Sequence, residues 1–269
     1  MNVEVLISTI SCKGLRRLAA SVLPQAAGLR YLVACQVGDD NPEEVVGMMQ
    51  TYFGKRTDMT CFVSEGVGLS RSRNDLLARA RAEIIVIGDD DIDYDADAIR
   101  KLADVFEAEA SVGMVVGQVR IAGRLYGGPR RRRLHRHSLR GNYAPSCSML
   151  IRRAALGKIC FCENLGAGTM RFPSGEDDVF LYRVLSAGIR VEYVPYLFAE
   201  HTGESTAERV PSIAVLNSRG VVLSLLHRYS WPIRAVVLSW RLRTVGYSVA
   251  LKSIVSGGLY ACRHRGDFE

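Results

Sequence analysis

Three consecutive carboxylates, Asp89-Asp90-Asp91, follow directly on the apolar run Ile84-Ile85-Val86-Ile87-Gly88. Carboxylates this close repel one another unless positive charge lies between them, and an all-oxygen ligand set suits a hard divalent cation. Such a cation would grip the oxygens of a diphosphate. Asp93, Asp95 and Asp97 continue the alternation in the manner of a calcium loop. That loop needs Gly at its sixth position and Glu at its twelfth. Counted from Asp89 these are Tyr94 and Arg100, and counted from Asp91 they are Ala96 and Leu102, so the calcium loop is excluded. A second acidic group, Gly175-Glu176-Asp177-Asp178, opens a helical stretch, and His201 stands alone downstream. The plain alternative for the second group is a set of first-turn acids favoured by the helix dipole.

The elements that must position these residues come next. The run before Asp89 shows no polar alternation and reads as a strand buried on both faces. In open α/β sheets, ligands bind beyond the carboxyl ends of such strands. Further strands are expected at Val3–Thr9, Arg30–Val37 and Met59–Val63. Helices are expected at Leu15–Leu23, Glu43–Phe53, from Asn74 to Ala82, and at Ala98–Ala110 with Asp97 as its cap. The alternation predicts an α/β fold, a Rossmann-like, mostly parallel sheet with helices on both faces. After residue 111 the pattern changes to a strand Gly113–Ile121, a glycine- and arginine-rich loop Gly123–Arg140 and a strand Ser146–Arg152. Residues 160–175 read as irregular, followed by a helix Glu176–Ala187 and a strand Val191–Val194.

Of 269 residues, 1–205 carry 26 Lys and Arg against 25 Asp and Glu, whereas 206–269 carry nine against three. The cation excess therefore lies in the tail and in the dense segment Arg130, Arg131, Arg132, Arg133, Arg136 and Arg140. Seven cysteines without paired metal-ligand spacing suit reduced thiols in the cytoplasm. Neither a signal peptide nor a clear transmembrane run is visible in the sequence. In the tail, Pro211–Arg228 and Ile233–Val255 are helical stretches parted by Trp231-Pro232. On the second, Ile233, Val236, Val237, Trp240, Tyr247, Leu251, Ile254 and Val255 share a face, flanked by Arg234, Arg241 and Lys252. A C-terminal helical appendage of this kind either lies peripherally on the inner face of the cell membrane or packs on protein.

The ordered set Asp89-Asp90-Asp91, Gly175-Glu176-Asp177-Asp178 and His201 resembles the family 2 glycosyltransferases of the GT-A fold. Gly68-Leu69-Ser70-Arg71-Ser72-Arg73-Asn74 resembles that family's stretch between the third strand and the following helix. The resemblance covers roughly residues 3–205. It implies a catalytic domain over 1–205, with a nucleotide-sugar half to about 110 and an acceptor half beyond, then the basic tail 206–269. It also implies an inverting transfer of a sugar from a nucleotide-diphosphate donor to a saccharide or lipid-linked acceptor in surface polysaccharide assembly. The family's Asp-x-Asp (DXD) motif falls on Asp89-Asp90-Asp91. That makes Asp91 the foremost ligand of Mn²⁺ or Mg²⁺, with Asp89 nearer the ribose, Asp90 beside the nucleotide and His201 completing the metal site. Asp90 and Asp93 leave the register of this motif open.

The resemblance further implies Asp177 as the base that takes the acceptor proton, one residue from the alternative Asp178, with Glu176 positioning the acceptor. Ser8 and Thr9 are expected beside the base of the nucleotide, with Asp39 or Gln36 reading it. Arg73 is expected on the diphosphate or base, and Thr202, Ser205 and Thr206 near the diphosphate. Arg130–Arg133 would attract a lipid diphosphate, an anionic membrane or nucleic acid, or form a solvated loop. No aromatic interleaving accompanies it, so nucleic acid ranks last. Two rivals are a nucleotidyltransferase, needing a glycine-rich basic loop where Ser11-Cys12-Lys13-Gly14-Leu15-Arg16-Arg17 stands, and a non-catalytic anionic-lipid or RNA-binding protein on this fold.

Overall fold

The computed structural model describes residues 2–136, 144–201 and 211–268; Arg140, Thr202, Ser205 and Thr206 lie outside them. The chain divides into two compact units. The first takes Met1–Val67, Ser72–Cys160 and Arg183–Glu204, the second Gly68–Arg71, Phe161–Tyr182 and Ser205–Glu269.

In the first unit, four strands form a parallel platform. These are β1 (Val3–Ile10), β2 (Leu29–Gln36), β3 (Met59–Ser64) and β4 (Ile84–Asp89), in the order β3-β2-β1-β4. The connecting helices are α1 (Ser11–Ala20), α2 (Pro42–Phe53) and α3 (Leu69–Arg79). Val3, Val5 and Ile7 of β1 point to one face, into a core with Leu15 and Leu18 of α1 and with Val45 and Met49 of α2. The intervening Leu6 is also fully buried, as a strand covered on both faces requires.

Beyond β4 the sheet becomes mixed. The strand β5 (Ile92–Tyr94) and the helix α4 (Ala96–Ala108) are followed by β6 (Val112–Ile121), β7 (Arg124–Tyr126), β8 (Arg132–Leu134) and β9 (Met149–Arg152), and later by β10 (Arg190–His201). β9 runs antiparallel between β4 and β6, β10 is parallel to β6, and β5 closes the order antiparallel to β10. Asp95, not Asp97, caps α4, accepting from the backbone N–H of Asp97 and Ala98 at 2.9 and 3.0 Å. The helix thus begins two residues earlier than the carboxylate pattern suggested.

The arginine-rich segment is ordered as far as it is described. β8 pairs antiparallel with β10, Arg131 bonds Glu109 and lies 3.6 Å from Glu192, and Arg132 stacks 4.9 Å over the Tyr193 ring. The expected solvated loop is therefore replaced by a short strand, with the Arg131 charge already neutralised.

The second unit holds the beginning of α6, where α5 (Arg153–Leu156) and α6 (Glu176–Ser186) are the next helices in chain order, and three tail helices. These are α7 (Ile213–Leu226), α8 (Trp231–Arg241) and α9 (Tyr247–Arg263). Where one long helix was expected from Ile233 to Val255, a 3₁₀ turn at Arg243–Val245 and Gly246 at φ +95° separate two. Pro232 does not part helices but sits in the first turn of α8, where its missing N–H costs nothing. α7 and α9 pack backbone to backbone: a Cβ on Gly220 would meet the Ile254 carbonyl, and one on Gly257 the Asn217 carbonyl.

Candidate active site

The three consecutive acids go three separate ways. β1 and β4 are in register with Ser8 opposite Asp89, so Ser8 lies beside the last residue of β4. Asp89 closes β4, and its Oδ1 accepts from Nη2 of Arg73 at 2.9 Å. Asp90, buried in the turn that follows, accepts on Oδ2 from the Thr9 hydroxyl at 2.5 Å and from Arg17 Nη2 at 2.9 Å. Asp91 turns the other way, to His201 Nε2 at 3.2 Å. The histidine is there because β10 pairs with β5 in the register His201 opposite Ile92, one residue past Asp91.

Asp93 has left the cluster altogether and accepts from the Val22 N–H at 2.7 Å, tying α1's exit to β5. The approach of α1 to the acids depends on Gly14, where a Cβ would strike the Thr9 hydroxyl and lie 2.7 Å from Asp90 Oδ2. Arg17, three residues on and on the same helical side, was missed in the sequence reading. Its signal is the Gly14–Arg17 spacing, which becomes visible only when α1 is started at Ser11 rather than Leu15.

Electrostatics separates the acids as well. Burial pushes the Asp90 carboxyl above its ordinary value, against the pull of the Thr9 hydrogen bond and the Arg17 charge. Burial also raises Asp91, with His201 pulling down and the Asp89 charge adding to the rise. A half-buried, desolvated carboxylate beside an imidazole gains most from a cation. The carboxylate oxygen of Asp91 and the imidazole nitrogen of His201 are thus a chemically fitting pair for Mn²⁺ or Mg²⁺. No third His, Cys, Asp or Glu joins them among the described residues. A small hard cation bound by one or two side chains completes its shell with phosphate oxygens and water. The residues present therefore fit a metal shared with a diphosphate.

The nucleotide-side residues sort by depth. The Ser8 hydroxyl is buried at the end of β1 without a hydrogen-bond partner among the described residues. Gln36 is buried at the end of β2, between Ile10 and Ser64 in the strand register. Asp39 is exposed in the turn beyond, and its neighbour Asp40 takes the Cys12 N–H at 2.6 Å. Arg73 is itself buried and reaches the cluster through Asp89. Ser11–Arg17 forms the first half of α1, not the phosphate loop a nucleotidyltransferase would want.

In the second unit, Glu176, Asp177 and Asp178 occupy the first turn of α6, and the Val179 N–H bonds the Gly175 carbonyl at 3.1 Å. Gly175 has φ +97°, and any Cβ on it would collide with Val222 of α7. This glycine is what lets the acidic turn stand against the tail helices. Burial, then the neighbouring Asp177 charge, pushes Asp178 up to about 6, with Arg219 pulling the other way. Asp178 is thus an acid of this turn whose charge is resisted by its burial.

Among curated proteins no sequence matches the chain. Solved structures do. S. aureus TarS 1–349 in complex with UDP aligns with a TM-score of 0.58 at 17% identity, covering 93% of this chain and 75% of that one. The same protein in complex with UDP-GlcNAc gives 0.59 at 18% identity, covering 93% and 76%. The longer S. aureus TarS structure gives 0.59 at 18%, covering 92% of this chain and 45% of that one. At such identities the likeness establishes the fold, which is that of a GT-A glycosyltransferase. The family model described as glycosyl transferase family 2 matches residues 5–171, more than half of the 269. The chain belongs to glycosyl transferase family 2.

Proposed function

We propose that this protein is a metal-dependent, inverting glycosyltransferase that moves a sugar from a nucleotide-diphosphate donor to a saccharide or lipid-linked acceptor. The observation that carries the reading is the Asp91–His201 pair, 3.2 Å apart at the carboxyl end of the parallel platform, where α/β folds bind ligands. The UDP and UDP-GlcNAc complexes of S. aureus TarS support a nucleotide-sugar donor. Seven cysteines without paired metal-ligand spacing favour a cytoplasmic setting, and surface polysaccharide assembly is the process such a transfer would serve.

Asp91 and His201 would hold the cation, which when bound would supply positive charge for the departing nucleoside diphosphate. Asp89, clamped by Arg73, faces the donor's ribose. Ser8 and Gln36 contact the nucleotide base, and the buried Asp90 fixes the turn that carries its two neighbours. Asp177 accepts the proton from the acceptor hydroxyl as that oxygen attacks the anomeric carbon, and Glu176 orients the acceptor. One base and one displacement give inversion.

Titration calorimetry of the full chain with UDP and with GDP, each with and without Mn²⁺, tests the reading. Binding that strengthens with Mn²⁺ and is lost in Asp91→Ala is expected. Metal-indifferent binding, or none, would remove the case for this site.

A further inference from the structure

We propose that α8 is an interfacial helix that docks the chain on an anionic lipid surface. Its inner face is accounted for: Trp231, Ala235 and Ser239 are buried, and Trp231 and Ala235 share a core with Leu216 of α7 and with Ala250 and Ile254 of α9. Its outer face is apolar too. Ile233, Val236, Val237 and Trp240 are 71%, 47%, 48% and 62% exposed. At 100° per residue these four lie within about 100° of arc, opposite the buried set. A helix apolar on both sides, in a protein that uses only one side internally, has a second apolar medium to meet.

The surroundings of that face say which medium. Arg234 and Arg241, seven residues apart, line one flank of it. Arg243 stacks 5.4 Å over the Trp240 ring and Arg228 lies 5.7 Å from the ring of Tyr229, which is 87% exposed. Tyr247 meets Trp240 edge-on at 6.3 Å. From residue 211 to 266 the sequence holds eight Lys and Arg and not one Asp or Glu. An aliphatic centre, aromatic rings at its border and a cationic rim match the layers of a bilayer surface, from acyl chains through the interface to phosphates. A second copy would set this cationic rim against its own. Nucleic acid would satisfy the cations and leave the apolar centre in water. α8 spans about 16 Å, and no described helix is long and apolar enough to cross a membrane, so the helix lies in the surface plane.

The test uses the full chain and vesicles of phosphatidylcholine, with or without phosphatidylglycerol. Wild-type protein is expected to sediment with the anionic vesicles and to be released by salt. Trp240, the exposed one of two tryptophans, is expected to be quenched by brominated phosphatidylglycerol. Ile233→Ser combined with Trp240→Ser, and separately Arg234→Glu combined with Arg241→Glu, should weaken vesicle binding about tenfold or more while leaving the melting temperature and donor binding unchanged. Quenching in the wild-type protein needs no variant, so a misfolded mutant does not spare the proposal. It is overturned by unquenched tryptophan, by wild-type protein that stays soluble, by equal sedimentation of variants, or by a self-association that the same substitutions abolish. None of these readouts depends on sugar transfer.

Discussion

Arg73, with 2% of its side chain exposed, is held to Asp89 at 2.9 Å, so the first acid of the cluster is anchored by an arginine from α3, sixteen residues upstream. Removing one partner of a buried pair strands the other's charge. Arg73→Ala is expected to lower the stability of the fold by about 3 kcal/mol, with Asp89 partly reaching solvent and moderating the loss. Arg73→Ala combined with Asp89→Asn should cost less than the two single losses summed, because the orphaned charge is gone. Urea denaturation of the four proteins measures the difference.

The acids Asp90 and Asp91 should separate cleanly. Asp90→Asn loses its place between Thr9 and Arg17 and is expected to destabilise the protein by about 1–3 kcal/mol, with the Mn²⁺ dependence of UDP binding retained. Asp91→Asn and His201→Ala should do the reverse: near-normal melting, and loss of the Mn²⁺ effect in calorimetry. An Asp90 variant that behaves like the Asp91 variant would merge the two roles.

Asp178 gives a pH signature. Its carboxyl titrates near 6 in the folded chain against an ordinary 3.8, raised first by burial. A raised folded pKa means the native state holds the proton longer than the unfolded one. The associated stability is full below about pH 4 and is lost as pH rises through 6, about 3 kcal/mol at most. Asp178→Asn should therefore flatten the fall in melting temperature between about pH 4 and pH 7. If wild type and variant follow parallel curves, the acid is not desolvated in the manner described.

Asp177→Asn keeps the shape of the first turn of α6 and removes the proposed base. The turnover of sugar transfer should fall by about 10²–10⁴-fold, while calorimetric binding of UDP stays within error of wild type. Unchanged turnover would return Asp177 to the role of a helix-dipole acid.

Gly14→Ala tests the approach of α1. The added methyl strikes the Thr9 hydroxyl and crowds Asp90, and overpacking of this kind costs about 1–3 kcal/mol. A shift of the urea midpoint reads it.

The parallel platform was legible because its strands are short, largely apolar runs separated by helical stretches, a signal local to each element. The acidic motifs and His201 were legible as residue types in order. What the three acids do to one another was not. Asp90 meets Arg17 across 73 positions and Asp93 meets the Val22 N–H across 71, and no local pattern carries such pairings. β5, β7 and β8 are three residues each, too short for a period-two pattern to show. The break between α8 and α9 was hidden because Trp240 and Tyr247 are seven apart and stay in helical phase across it. Gly246 was the only residue that marked the change.

Two of the three clustered acids come already matched with arginine, Asp89 with Arg73 and Asp90 with Arg17, and the third, Asp91, faces His201. A diphosphate donor of the proposed kind would therefore meet acids already largely matched by arginine rather than a triple carboxylate. Encounter with the donor needs little long-range attraction and is opposed by little repulsion, so its rate should be almost insensitive to ionic strength. The acids have been largely discharged in advance, so a cation bound beside Asp91, as proposed, would tip the local sign to positive.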